Sequence, residues 1–361
     1  MSIAPNPTPS GTFDISDELL PTLAAVRANC HITDALHATD YTLCVYLLKM
    51  REYYRWENDL PFSHPLPHDE LTAWLNEREE LWETVAEKPF ESIPVSDRQL
   101  DPFDAVTINR HLNQLGYVYS SGIGRNMRPH FFLGTLDEQR QHDGYTLYIS
   151  GREYARDLTA PPAMSLNTTI FIRRESLRRM LWEKIEEWRW NRPANAMQKA
   201  INCYSFDSLP ERSLEEMTNN EIRTVMLHEI GEVMVGNELG DDWEELLATV
   251  PHSKTELLLR AVRDHAADAL STLPDLLEEI TPASLHFYIA NLSNLRKSLF
   301  PALLSAYEGW ARSGSPAELR KAASSARGHW LSLAQEILGL YRRKGGDCQD
   351  EITALVEQRI L

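Results

Sequence analysis

Cysteine is scarce: Cys30, Cys44, Cys203 and Cys348 are the only four in 361 residues, and none forms a Cys-x-x-Cys pair. That scatter excludes a disulfide framework and fits isolated thiols in a reducing compartment. Long apolar runs are also missing. No stretch of about 18 apolar residues occurs, so no membrane-spanning helix is expected. Positive charge is short as well, since 36 Lys and Arg stand against 53 Asp and Glu, for a net charge of −17. A surface of that sign repels phosphate backbones and anionic lipid, which argues against a broad nucleic-acid or membrane-binding face and leaves only a local basic patch open. The first residues, with Pro5, Pro7 and Pro9, have neither the basic start nor the apolar centre of a signal peptide. They read as a flexible leader, and the chain is expected in the cytoplasm.

What is present suits a chain that buries a substantial core: 43% of its residues are hydrophobic and 25% charged. The expected fold is mainly α, a multi-helix bundle-like body with a small, mostly antiparallel β-sheet insert. We divide the chain into a leader (1–13), an N-terminal helical region (14–116), a small β-rich segment (117–175) and a C-terminal helical region (176–361). The block Leu43 to Leu48 is apolar on every side of its predicted helix, and it should be surrounded by other helices. Four runs rich in β-branched and aromatic residues, 117–121, 130–134, 145–149 and 168–172, predict the strands of the insert.

The most informative stretch is Val225 to Gly236, an apolar helical sequence holding His228, Glu229 and Glu232. Alternating steps of three and four give the row Val225, His228, Glu232, Val235 and Leu239, so His228 and Glu232 lie one turn apart on an apolar stripe. Burying an unpaired carboxylate costs several kcal/mol, so Glu232 needs a cation or strong donor beside it. A second predicted helix repeats the pattern: Leu258, Val262, His265, Ala269 and Leu276 form its stripe, with Asp264 and Asp268 on the adjacent row and Arg263 nearby. Antiparallel packing of the two helices would gather His228, Glu232, His265 and Asp268 around one centre. Such a set suits a divalent metal, iron or manganese at least as well as zinc. Glu229 or Asp264 would then act as catalytic base or extra ligand. A metal-free buried ion network and a misassigned helix face are the competing readings.

Two local resemblances bear on this stretch. Leu227-His-Glu-Ile-Gly231 resembles the zincin metallopeptidase helix, which implies His228 as a ligand and Glu229 as the base; Glu232 stands where that family has its second histidine. The same residues are similar to the Leu-His-Asp-Ile-Gly stretch of HD-type phosphohydrolases, with Glu229 in place of the aspartate, and His265 to Leu270 is similar to that family's later Ala-Asp helix.

Other groups are weaker signals. His31, Asp34, His37 and Asp40 recur at steps of three, which drift around a helix, so Asp34 and His37 can share a ligand while all four cannot easily converge. Arg51 and Glu52 follow the apolar block, and internal charges there can hold a substrate carboxylate or orient ligands. Ser120 to Arg128 contains Gly122 and Gly124 with Arg125 and Arg128, a turn able to cradle an anion, although a plain hairpin is the favoured reading. No Gly-x-Ser-x-Gly elbow occurs. The sequence thus points to a metal-dependent enzyme acting on a small molecule, hydrolysis being favoured over oxygen activation by Glu229 beside His228. A non-catalytic acidic scaffold is the alternative.

Overall fold

A computed structural model describes residues 15–124 and 127–361. The expected leader and Arg125 therefore lie outside the described residues. In chain order come α1 (Leu20–His37), α2 (Leu43–Glu57), α3 (His68–Val85), β1 (Ile93–Val95), β2 (Arg98–Leu100), α4 (Ala105–Leu112), β3 (Tyr117–Ile123), β4 (Pro129–His142), β5 (Tyr145–Arg156), β6 (Ala163–Leu166) and β7 (Thr169–Arg173). Helices follow: α5 (Arg174–Asn191), α6 (Ala196–Ile201), α7 (Pro210–Leu239), α8 (Asp242–Thr249), α9 (Lys254–Ala267), a π-helical turn at Asp268–Thr272, α10 (Leu273–Glu278), α11 (Pro282–Asn291), α12 (Asn294–Leu299), α13 (Pro301–Ser313), α14 (Ala317–Lys344) and α15 (Gln349–Gln358).

The chain is helix-dominated, but the expected fold class needs correction at the sheet. The sheet is not a small insert but a curled, mixed sheet. It has five strands in the order β3-β4-β5-β7-β6, and β5 runs parallel to β7. A second, two-stranded sheet of β1 and β2 lies within the region expected to be purely helical. The reasons are local. Residues 163–166, Ala-Met-Ser-Leu, contain no β-branched residue, so β6 carries little strand propensity and gains its order by pairing with β7. The outer half of β4 is largely exposed, and its polar residues 137–142 give no apolar alternation. The sheet also curls: the Ser120 hydroxyl on β3 reaches the Met164 sulfur on β6 at 3.5 Å, bringing the two edge strands together.

The apolar block at the start of α2 is a second correction. Leu43 is 70% exposed and Val45 and Leu47 are also exposed, so only the second half of α2 turns its face inward, through Met50, Tyr53 and Tyr54.

Two cores hold the structure. One lies under α1, α4 and the first strands, around Val26, Ile108, Tyr119 and Phe131. The larger fills the C-terminal helices, around Val262, Phe300, Trp330 and Ile337. Helix α7 joins the sheet to the larger core: Val233 packs on Leu147, Ile170 and Ile172 of the sheet, while Val235 and Leu239 enter the helical core. Its polar row is therefore enclosed between sheet and helices.

Candidate functional site

Gly231 sets the distance between α7 and α9. A Cβ at this position would overlap the Ala267 carbonyl, so the absence of a side chain lets the two backbones touch. The pairs around it, His228 with Asp268 and Glu232 with Arg263, run in opposite sequence directions and make the helices antiparallel. Close approach at Gly231 thus forces the polar rows together.

The result is a cluster in which one ligand-type atom each from His228, Glu232 and Asp264 lies within 4.8 Å of the others. His228 Nδ1–H donates to Asp268 Oδ1 at 2.7 Å, which fixes the ring and leaves Nε2 facing Glu232 Oε1 at 3.6 Å. A carboxylate behind the imidazole is the usual orienting partner of a metal-ligating histidine. The other oxygen of Asp268 accepts from the Tyr288 hydroxyl at 2.8 Å and from the Arg296 guanidinium. Arg296 and His228 hold the Asp268 carboxyl far below the usual carboxylate range, against the pull of burial. The π-helical turn starts at Asp268 itself, and such turns are frequent at functional sites.

Two arginines flank the cluster. Arg263 lies 3.5 Å from Glu232 Oε2, which also accepts from the Ser165 hydroxyl at 3.2 Å, and Arg296 lies 3.9 Å from Asp264 Oδ2. Burial opposes a charged ring at His228, but Asp268 and Glu232 outweigh it and push the imidazole up to about 10. Burial, then the Glu232 charge, pushes the Glu229 carboxyl up to about 8. Burial also raises Asp264. Cavities open on both sides. One of about 180 Å³ is lined by Thr224, His228, Asp268, Tyr288 and Arg296. The other, a cleft of about 900 Å³, is lined by Glu229, Glu232, Ser165 and Arg263. Glu229 borders both.

The structure brings together His228, Glu232, Asp264 and Asp268, with Glu229 adjoining. His265 is a correction. Its Nε2–H donates to the Arg296 carbonyl at 3.0 Å and its ring stacks on Trp330 with centroids 4.6 Å apart. Burial, then Arg296, lowers it to about 3, so it stays a neutral core residue. The helix turns it away from the cluster because Asp264, one residue earlier, takes the facing position. Asp268 also differs from the expectation: its oxygens are committed to His228, Tyr288 and Arg296.

The four N-terminal residues do not join this site. Asp34 is buried, with Oδ1 accepting from Leu158 N at 2.8 Å, whereas His37 lies against Asp40 at 3.0 Å, so the expected sharing of a ligand by Asp34 and His37 is not seen. Arg51 bonds Glu52 and Glu186, and Glu52 also lies 3.3 Å from Arg55. Sequence reasoning missed Ser165, Tyr288 and Arg296. Ser165 sits on the unforeseen β6, and nothing in the α11–α12 sequence marks the other two as facing Asp268.

Two family models match the chain: family of unknown function (DUF6866) N-terminal domain over residues 22–173, and family of unknown function (DUF6866) C-terminal domain over residues 178–359. The chain belongs to this family. No curated protein and no solved structure matches it.

Proposed function

We propose that the chain is a metal-dependent enzyme, a hydrolase of a small molecule, with His228, Glu232 and Asp264 holding a divalent cation. The observation that carries this reading is the convergence of those three side chains with the imidazole already oriented by Asp268. One nitrogen and two carboxylates form a hard donor set that suits manganese or iron at least as well as zinc. A cation held by these residues would supply Lewis acidity, which brings the pKa of a bound water toward neutrality. Glu229 borders both cavities and adjoins His228, which places its carboxylate to take and return a proton at the site. Oxygen activation needs no such base, which favours hydrolysis. Arg263 and Arg296 offset carboxylate charge and hold the ligands in place. Free thiols at all four cysteines agree with a cytoplasmic setting, and among the described residues no helix is long and apolar enough to cross a membrane.

One observation favours a second reading. Protonated His228, Arg263 and Arg296 balance Glu232, Asp264 and Asp268, so the cluster can close as an ion network without metal in an acidic scaffold. Metal content after manganese loading and desalting separates the two. His228→Ala and Asp264→Asn should each empty the site, and Asp268→Asn should weaken binding about 10- to 100-fold through the lost orientation. His265→Gln should change nothing. Equal metal in His228→Ala, Asp264→Asn and wild type would refute the ligand set, and no metal in wild type would leave the ion network.

A further inference from the structure

The cleft bordered by Glu229 and Glu232 is also lined by Tyr41, Gly124, Arg128, His130 and Thr159. Its volume of about 900 Å³ matches that of pockets holding drug-sized ligands. Arg128 is only 6% exposed, yet its donors are poorly used. Nη1 donates to the Tyr41 hydroxyl at 2.8 Å, while Nε and Nη2 have no hydrogen-bond partner. The carboxylate beside it, Asp34, is 3.8 Å away, and the oxygen concerned already accepts from Leu158 N. Nε and Nη2, enclosed as the structure stands, form the side-on fork with which a guanidinium grips a carboxylate or phosphate, and buried donors left unmet carry a desolvation cost that an anion admitted to them would relieve.

His130 stands two residues away and lines the same cleft. Its Nδ1–H donates to Asp157 Oδ2 at 3.3 Å, and Asp157 is itself fixed by Phe131 N at 3.2 Å and Ala160 N at 2.9 Å. That arrangement sets the tautomer and frees Nε2. A Cβ at residue 124 would overlap Nε2 and Cδ2 of this ring, so only glycine there keeps the nitrogen open.

We propose that Arg128 and His130 form an oxyanion subsite, and that the molecule handled at the His228–Glu232–Asp264 cluster carries a carboxylate or phosphate that docks there. The substrate assignment rests on the functional reading above; the subsite rests on the geometry around Arg128. Asp40, Asp241 and Glu244 on the same cleft keep it from being a general anion trap, and since Arg263 there pairs with Glu232 and Glu244 and Arg260 with Glu256, Arg128 is left as the anchor.

The test is calorimetric titration of the full chain with inorganic phosphate and with acetate, using wild type, Glu232→Gln, Arg128→Gln and Gly124→Ala. Saturable binding of one anion is expected in wild type and Glu232→Gln, with at least about tenfold weakening in Arg128→Gln, in keeping with a lost charged fork. Gly124→Ala should weaken binding too, and because it adds one methyl at a turn it decides the matter should Arg128→Gln fail to fold. Tighter phosphate identifies a phosphate ester and tighter acetate a carboxylate. The proposal is overturned if neither anion saturates, if both Arg128→Gln and Gly124→Ala bind as wild type does, or if Glu232→Gln alone abolishes binding. Loss of metal uptake with Arg128-dependent anion binding intact would remove the catalytic reading and leave the subsite standing.

Discussion

His228 and His265 are the same residue type on facing helices, and their surroundings give them opposite characters. His228 meets Asp268 and Glu232 and is held charged, whereas His265 meets Trp330 and a carbonyl and stays neutral. Glu221 shows the same dependence on surroundings. It is fully buried on α7, and burial pushes its carboxyl up to about 7 despite help from the Ser284 and Thr224 hydroxyls. The folded state therefore binds its proton more tightly than the unfolded chain. The associated stability is complete below the ordinary glutamate value and is lost as pH rises through about 7. A shift of that size corresponds to about 3 kcal/mol. Glu221→Gln should raise the denaturation midpoint at pH 8 and make little difference at pH 4.5. Equal urea midpoints for variant and wild type at pH 8 would show that the carboxylate is solvated.

At the level of elements, the α7–α9 contact decides whether the cluster exists. Gly231→Ala must push a methyl into the Ala267 carbonyl, which should destabilise the fold by about 1–3 kcal/mol and weaken metal retention. Gly236 lies on the same helix with nothing within 4 Å of its would-be Cβ, so Gly236→Ala should stabilise by about 0.5–1 kcal/mol. Urea melts of the pair check both signs, and similar behaviour of the two would sink the account of the helix contact. The polar row on α7 was legible because His228 and Glu232 interrupt an apolar stripe at helical spacing. The partner row was legible only in part. Periodicity placed Asp264, His265 and Asp268 near the interface, but the rotation of α9 and its π-helical turn, which select Asp264 over His265, are set by packing against Trp330 and Arg296. The exposed Leu43 and Val45 mislead for a related reason: an apolar block signals burial only where a partner covers it.

In the molecule as a whole, helix signals held their places through most of the chain, and the sheet did not read as clearly. Strand β6 lacks propensity, and the parallel pairing of β5 with β7 depends on the route of residues 157–168, which no local pattern encodes. That route carries functional consequences. It brings Ser165 to Glu232 and sets the rim of the curled sheet, with Arg128 and His130, along the same cleft as the helical cluster. The site is thus a joint product of the sheet and the C-terminal helices. Anomalous diffraction from crystals grown with manganese tests this directly. The account predicts one peak bonded at about 2.0–2.3 Å to His228, Glu232 and Asp264, within ordinary ligand reach. A map with no peak there, or with the peak on His265, would contradict it.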